Sequence, residues 1–123
     1  MGQEDGVLLD NARELDLITT GRKSGFARRV ELWHVYEEGY VYLLAALSVL
    51  GTPTDWYRNL QALPESVLRI EGRAISVRNE QLDDPEALAD YVLGLFRDKY
   101  GPTTMRQWYE GYDHLPVKLK VIS

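Results

Sequence analysis

Four cationic side chains cluster in the first third of the chain, in and just after a segment bracketed by glycines. The segment, residues 19–25, reads Thr-Thr-Gly-Arg-Lys-Ser-Gly, and two arginines follow it. Backbone N–H groups in such a turn can form a concave anion site. The guanidinium groups of Arg22, Arg28 and Arg29 could bind phosphate or carboxylate, with Lys23 as a mobile point charge. The pattern therefore indicates a small anionic ligand, and an exposed hairpin tip without a ligand stays open as the alternative.

A second segment, residues 53–64, predicts a short amphipathic helix. Thr54 is a candidate N-cap, and Pro64 ends the segment. Trp56 and Asn59 lie three residues apart and therefore share one face of this helix. The indole could cover a flat ring while the amide hydrogen-bonds to the edge of that ring. Packing of Trp56 into the core is the alternative, whereas a buried amide such as Asn59 needs hydrogen-bond partners in either case.

Aromatic residues crowd the connection that follows the predicted long helix. They could form a wall for a flat, apolar substrate, because such side chains combine a large contact area with polar handles. Ordinary packing beneath the connection explains them equally well, so both interpretations stay open. The substrate-side candidates are Tyr100, Trp108, Tyr109 and Tyr112.

Other catalytic chemistries have little support in the sequence. His34 and His114 are the only histidines, and they are too far apart in the chain to suggest a zinc site, so no metal site is predicted. His34 alternates with apolar residues, which is typical of a core histidine. Cysteine is absent, and so is the Gly-x-Ser-x-Gly motif of hydrolases. No pattern of acids and bases identifies a catalytic side chain.

Composition indicates one ordinary globular domain that acts on small molecules. The chain has 123 residues and a net charge of −5, which disfavours nonspecific binding of nucleic acid. A balance of +3 over residues 17–36 contrasts with −4 over residues 1–16, so the basic patch is local. No apolar run is long enough to span a membrane. The absence of cysteine and of a basic targeting segment leads us to expect a cytoplasmic location.

The pattern of apolar residues predicts an α+β fold rich in strands. The N-terminal residues 1–14 read as a flexible or briefly helical lead-in. A short helix begins after Thr54, and a long helix begins at Asp84-Pro85 and ends at Gly101. Strands are predicted over residues 15–20, 27–36, 40–46, 66–70, 73–78 and 117–121. The result is a small antiparallel barrel of about six strands with one short and one long helix.

The two chemical segments, taken together and in order, resemble those of the deazaflavin-dependent nitroreductases. The resemblance rests on residues 19–25 with Arg28, on Leu32-Trp33, and on residues 55–62 with Pro64. This family belongs to the wider flavin/deazaflavin oxidoreductase group. The resemblance implies a single split β-barrel domain over residues 15–123 that binds coenzyme F420, or FMN as in some relatives. The implied reaction is hydride transfer from the reduced cofactor to a small electron-poor organic substrate.

The resemblance also implies which residues contact the cofactor. The turn would hold the phosphate-bearing tail, and the short helix would lie beside the ring. The cofactor-binding residues implied in this way are Arg22, Lys23, Ser24, Gly25, Arg28, Ala46, Trp56 and Asn59. After the third predicted strand, Leu47 stands where the family commonly has lysine, and the glycines that follow it there are absent.

Three functions remain open on these grounds. The first is an F420-dependent oxidoreductase, and the second is a reductase that uses FMN. The third is a non-catalytic protein of the same fold that binds a flavin, a tetrapyrrole or a fatty acid, which the apolar Leu47 would favour. A homodimer is a further expectation from the resemblance, because split barrels of this type often pair.

Overall fold

A computed structural model describes residues 3–48, 50–108 and 113–122 of the chain. The strands are β1 (Glu14–Thr20), β2 (Ala27–Trp33), β3 (Val35–Glu37), β4 (Tyr40–Ala46), β5 (Glu65–Ile70), β6 (Arg73–Asn79) and β7 (His114–Val121). The helices are α1 (Gln3–Asn11), α2 (Asp55–Ala62), α3 (Pro85–Tyr100) and α4 (Pro102–Trp108).

The strands form one curled antiparallel sheet in the order β2-β1-β5-β6-β7-β4-β3. The α+β class is therefore confirmed. The predicted numbers of about six strands and two helices were slightly wrong, because the described residues contain seven strands and four helices. The extra strand arises from a break in the strand predicted over residues 27–36.

His34 is the point at which that predicted strand divides. β2 pairs with β1, whereas β3 pairs with β4 at the other edge of the sheet. At the break, the backbone of His34 bonds to side chains instead of a neighbouring strand. Its N–H donates to the Tyr100 hydroxyl over 3.0 Å, and its carbonyl accepts from Lys99 Nζ over 2.9 Å. The chain thus leaves one edge of the sheet and joins the other.

Strand β4 is buried on both faces, as its continuous apolar run predicts. Val41, Leu43 and Ala45 join the main core with α2 and the centre of the sheet. Tyr42 and Leu44 face the opposite way, into a second core formed with β3, α3 and α4. The sheet therefore separates two apolar layers, and the end of β4 lies between them.

The long helix α3 begins and ends where the sequence predicts. The Asp84 carboxylate accepts a hydrogen bond from the Ala87 N–H over 3.3 Å, and Pro85 is the first helical residue. Gly101 ends the helix with a φ of 92°. Among the described residues, α3 included, no helix has the length and apolar character needed to cross a membrane.

The N-terminal residues 3–11 form helix α1, which packs on the sheet. Leu9 is fully buried, and its carbonyl accepts a hydrogen bond from His34 Nε2 over 2.7 Å. The Arg73 guanidinium lies 3.0 Å from the carboxylates of both Glu4 and Asp5. The predicted flexibility of residues 1–14 relative to the rest of the chain stays a prediction.

Candidate functional site

The basic segment forms a tight turn between β1 and β2, as predicted. The Gly21 N–H donates to the Phe26 carbonyl, and the Gly25 N–H donates to the Gly21 carbonyl, each over 2.8 Å. Gly25 has a φ of 75°, a conformation that side chains with a Cβ rarely adopt. A Cβ at Gly21 would lie 2.6 Å from Ser24 Oγ. The positive φ therefore favours glycine at residue 25, and a side chain at Gly21 would require Ser24 to move.

Asn59, in helix α2, connects this turn and strand β1 to the helix through side-chain hydrogen bonds. Its Oδ1 accepts from the Arg22 backbone N–H over 3.2 Å and from Arg22 Nη1 over 2.8 Å. Its Nδ2 donates to Thr19 Oγ1 over 3.2 Å. Asn59 is 4% exposed and Thr19 is 1% exposed, so these bonds are shielded from water. The partners that a buried amide needs are thus within the protein.

The cations of the turn differ in how firmly they are held. Arg22, with a side chain 19% exposed, also pairs with the Asp55 carboxylate at 3.3 Å, so its guanidinium is held by the protein. Within the described residues, the Arg28 guanidinium makes one hydrogen-bond contact, at 3.5 Å with Ser24 Oγ. Lys23 is exposed and has no ion pair within the described residues. Lys23 and Arg28 are therefore the two cations of this segment that make no ion pair with a described carboxylate, which makes them the first candidates to bind an anionic ligand.

A cavity of about 560 Å³ lies between the turn, β2 and α2. We call it the cationic cavity. Six of the eight predicted cofactor residues line it: Arg22, Lys23, Ser24, Arg28, Trp56 and Asn59. Gly25 is not among its lining residues. Arg29 does line the cavity, and its guanidinium lies 3.8 Å from the Asp16 carboxylate.

A second opening of about 330 Å³, the aromatic cleft, adjoins the cationic cavity. Its walls include Trp33 from β2, Ala46 from β4, His114 from β7 and Trp56 from α2. Trp56 lines both spaces. Ala46, which the resemblance placed at the cofactor, thus lies at this second space.

The two spaces lie next to each other along β2 and share Trp56 as a wall, and we call them together the β2–α2 groove. Residues 28–30 of β2 line the cationic cavity, and residues 31–33 line the aromatic cleft. At the usual rise of a strand, Arg28 and Trp33 lie about 17 Å apart along this β2–α2 groove. The groove is cationic at one end and aromatic at the other, which suits a long ligand with an anionic tail and a flat ring.

Tyr100, one of the aromatic substrate-side candidates, is not among the described lining residues of this groove. Tyr100 stacks on Trp33 with ring centroids 4.6 Å apart, and its hydroxyl donates to the backbone carbonyl of Arg13 or His34. It therefore supports the wall of the aromatic cleft from behind. Trp108 ends α4. Tyr109 and Tyr112 lie outside the described residues, so their part in a substrate site, like that of Trp108, stays a prediction.

Several groove residues were not predicted as site residues. Glu31 and Trp33 share a face of β2 with Arg29, and this alternation was the available signal. His114 lies opposite Ala46 in the β4–β7 ladder. Because the last strand was predicted to begin at Val117, no pattern in the sequence placed His114 at the site.

The largest pKa shifts among buried groups lie outside the groove, beneath α1. Burial, followed by the nearby Lys99 ammonium, lowers the pKa of His34 to about 4. Burial likewise lowers the pKa of Lys99 to about 8. His34 Nδ1 is buried without a hydrogen-bond partner in the described structure. This cluster therefore favours a neutral His34 in the folded protein.

The curled sheet with two apolar layers and a groove along one edge strand defines the class of the protein as a split β-barrel. Solved structures share this fold over nearly their whole length. The chain belongs to the F420H2-dependent quinone reductase family, whose sequence profile matches residues 2–113. The predicted relation to F420-dependent enzymes is confirmed at this level.

Solved structures of this fold include proteins that are named for different cofactors. An F420H2-dependent reductase is 24% identical with a TM-score of 0.60, and the match covers 94% of this chain and 97% of that one. A FAD-binding protein from Mesorhizobium loti is 17% identical with a TM-score of 0.68, covering 100% and 91%. A heme storage protein from Vibrio cholerae is 13% identical with a TM-score of 0.69, covering 98% and 89%. No curated protein matches the chain in sequence.

Proposed function

We propose that the protein binds reduced coenzyme F420 in the β2–α2 groove and directs its hydride to a small electron-poor organic acceptor, such as a quinone. Membership in the F420H2-dependent quinone reductase family supports the cofactor and the type of reaction. The observation that carries the location is the position of Trp56. Trp56 packs in the main core and is 9% exposed, and it borders both the cationic cavity and the aromatic cleft, so one ligand can reach both.

At the cationic end, Lys23 and Arg28 would hold the anionic tail. They line the cavity and make no ion pair with described carboxylates. The hydroxyl of Ser24 and the backbone of the turn add hydrogen-bonding groups. Arg22 and Asn59 would act indirectly, by fixing the turn on α2. Guanidinium and ammonium groups bind phosphate strongly, which suits Arg28 and Lys23 as the residues that hold the tail.

At the aromatic end, Trp33 and Trp56 would lie against the deazaflavin ring, and Ala46 would leave room for it. When bound, the cofactor supplies the hydride chemistry, while the protein binds it, orients it and excludes water. The walls of the aromatic cleft suit this role because they are largely indole and aliphatic surface. An acceptor would then stack on the exposed face of the ring.

FMN is the second candidate ligand, and Leu47 favours it. This residue stands where the resemblance expects a lysine for the F420 tail, and its N–H donates to the Asp113 carbonyl over 3.0 Å. With one cation fewer, the cavity suits a shorter anionic tail, and FMN carries a single phosphate. Binding of a tetrapyrrole without turnover is the corresponding non-catalytic alternative.

Titration of the purified protein distinguishes these candidates. F420, FMN and heme are added separately and followed by fluorescence or absorbance, and the F420 complex is then reduced and mixed with a quinone. We expect the tightest binding for F420 and oxidation of F420H2 that depends on the quinone. Tight FMN or heme binding with no oxidation of F420H2 would contradict the proposal.

A homodimer belongs to the same proposal. It follows from the resemblance, and Phe26, which is next to the turn and 71% exposed, is a candidate contact between the two subunits. We expect light scattering to give twice the mass of the chain, and Phe26→Ser to shift the equilibrium toward monomer. A monomer at all concentrations used for activity would contradict this part.

A further inference from the structure

His114 lines the aromatic cleft because of its position in the sheet. It is the first residue of β7 and lies directly opposite Ala46, the last residue of β4. Residues opposite each other in an antiparallel pair project from the same face of the sheet. Leu44, Ala46 and His114 accordingly line the same wall of the cleft. His114 is half-buried, so its imidazole can face a ligand and still exchange protons with solvent.

Reduction of a quinone needs a proton as well as a hydride. The hydride brings two electrons and one hydrogen, and it leaves one oxygen of the acceptor as an anion. A side chain in the cleft that gives this oxygen a proton completes the hydroquinone. The described lining of the cleft contains two titratable side chains, Glu31 and His114. An ionised glutamate accepts hydrogen bonds only, whereas an imidazolium donates.

We propose that His114 is the proton donor to the acceptor's oxygen in this reaction. The proposal rests on the function proposed above, since it assumes an acceptor in the aromatic cleft. The N–H bond of the imidazolium breaks as the new O–H bond forms, and the neutral imidazole then takes a proton from water. The hydride supplies the other hydrogen and both electrons, and the proton lost by the oxidised cofactor returns to solvent.

The first test compares His114→Gln and His114→Ala with the wild type. Glutamine retains a polar side chain of similar length but cannot supply a proton at neutral pH. We expect kcat with a quinone to fall about 100-fold, as for loss of a general acid, and the F420 Kd to stay within about twofold. Added imidazole should restore activity to His114→Ala in proportion to its concentration, which a purely structural role would not produce.

The second test does not depend on turnover. The chain has two histidines, so the imidazole NMR spectrum contains two sets of signals, and His34 is a buried internal reference. Hydroquinone is added to the complex with oxidised F420, and we expect the His114 signals to move while those of His34 stay in place. The His114→Gln variant assigns the signals.

The outcomes separate this inference from the function on which it rests. An active wild type with an equally active His114→Gln, or a His114 signal unmoved by hydroquinone, would overturn the role of His114 alone. A wild type that neither binds F420 nor oxidises F420H2 would overturn both, and the cofactor titration identifies that case. Glu31→Gln serves as the neighbouring control, and we expect a smaller loss of kcat than for His114→Gln.

Discussion

Replacement of Asn59 by alanine tests how the turn is held in place. The change removes three hydrogen bonds: two to Oδ1 from Arg22 and one from Nδ2 to Thr19. The bond from the charged Arg22 side chain contributes about 2 kcal/mol, and the two neutral bonds contribute about 1 kcal/mol each. The Thr19 hydroxyl, 1% exposed, is left without this donor. We therefore expect the free energy of unfolding to fall by about 4 kcal/mol.

Urea denaturation followed by tryptophan fluorescence measures this loss. Asn79→Ala is the matched control, because Asn79 is half-buried and its amide makes no side-chain hydrogen bond to the described residues. We expect the control to lose less than about 1 kcal/mol. A loss below about 1 kcal/mol for Asn59→Ala would show that its amide does not hold the turn, and the assignment of Arg22 as a positioning residue would then fail.

Three further predictions follow from the same structure. The double variant Lys23→Ala/Arg28→Ala should raise the F420 Kd at least tenfold and change the free energy of unfolding by less than about 0.5 kcal/mol. The control Arg58→Ala, on the exposed side of α2, should leave the Kd unchanged. Equal F420 affinities of the double variant and the wild type would show that the turn is not part of the site. Because the pKa of His34 is lowered from 6.5 to about 4, the unfolded chain binds a proton between these values and the folded protein does not. Stability should therefore fall by about 3 kcal/mol as the pH falls from 7 to 4, and His34→Gln should lack this part of the pH dependence; identical profiles in denaturant titrations would contradict it. Thr54 Oγ1 is buried without a hydrogen-bond partner in the described structure, so Thr54→Val should leave the melting temperature unchanged or raise it; a clear decrease would indicate a capping role.

Features that depend on neighbouring residues could be predicted from the sequence. Gly25 supplies the positive φ of the turn at residues 21–25, and the cap of α3 uses Asp84 and Pro85 in their usual roles. The double burial of β4 follows from its unbroken apolar run. The segments around Trp56 and the turn also carried enough information to indicate a shared ligand.

Features that depend on contacts between distant segments could not be predicted. The break at His34 is fixed by Lys99 and Tyr100, which are more than sixty residues away. The hydrogen bonds that join the Asn59 side-chain amide to Arg22 and Thr19 likewise require α2 to lie against β1. Periodicity shows which face a residue occupies but not which segment it meets, so the sequence could not separate positioning residues from ligand-binding ones.

We propose that one ligand occupies the whole β2–α2 groove, and the indole signal of Trp56 tests this most directly. We expect F420 to shift the indole N–H signals of both Trp33 and Trp56 in a ¹⁵N NMR titration, with the same Kd as that obtained by fluorescence. The combined Lys23→Ala and Arg28→Ala variant should need at least tenfold more F420 to reach the same shifts. Saturable binding of F420 that leaves the Trp56 indole signal in place would contradict the account.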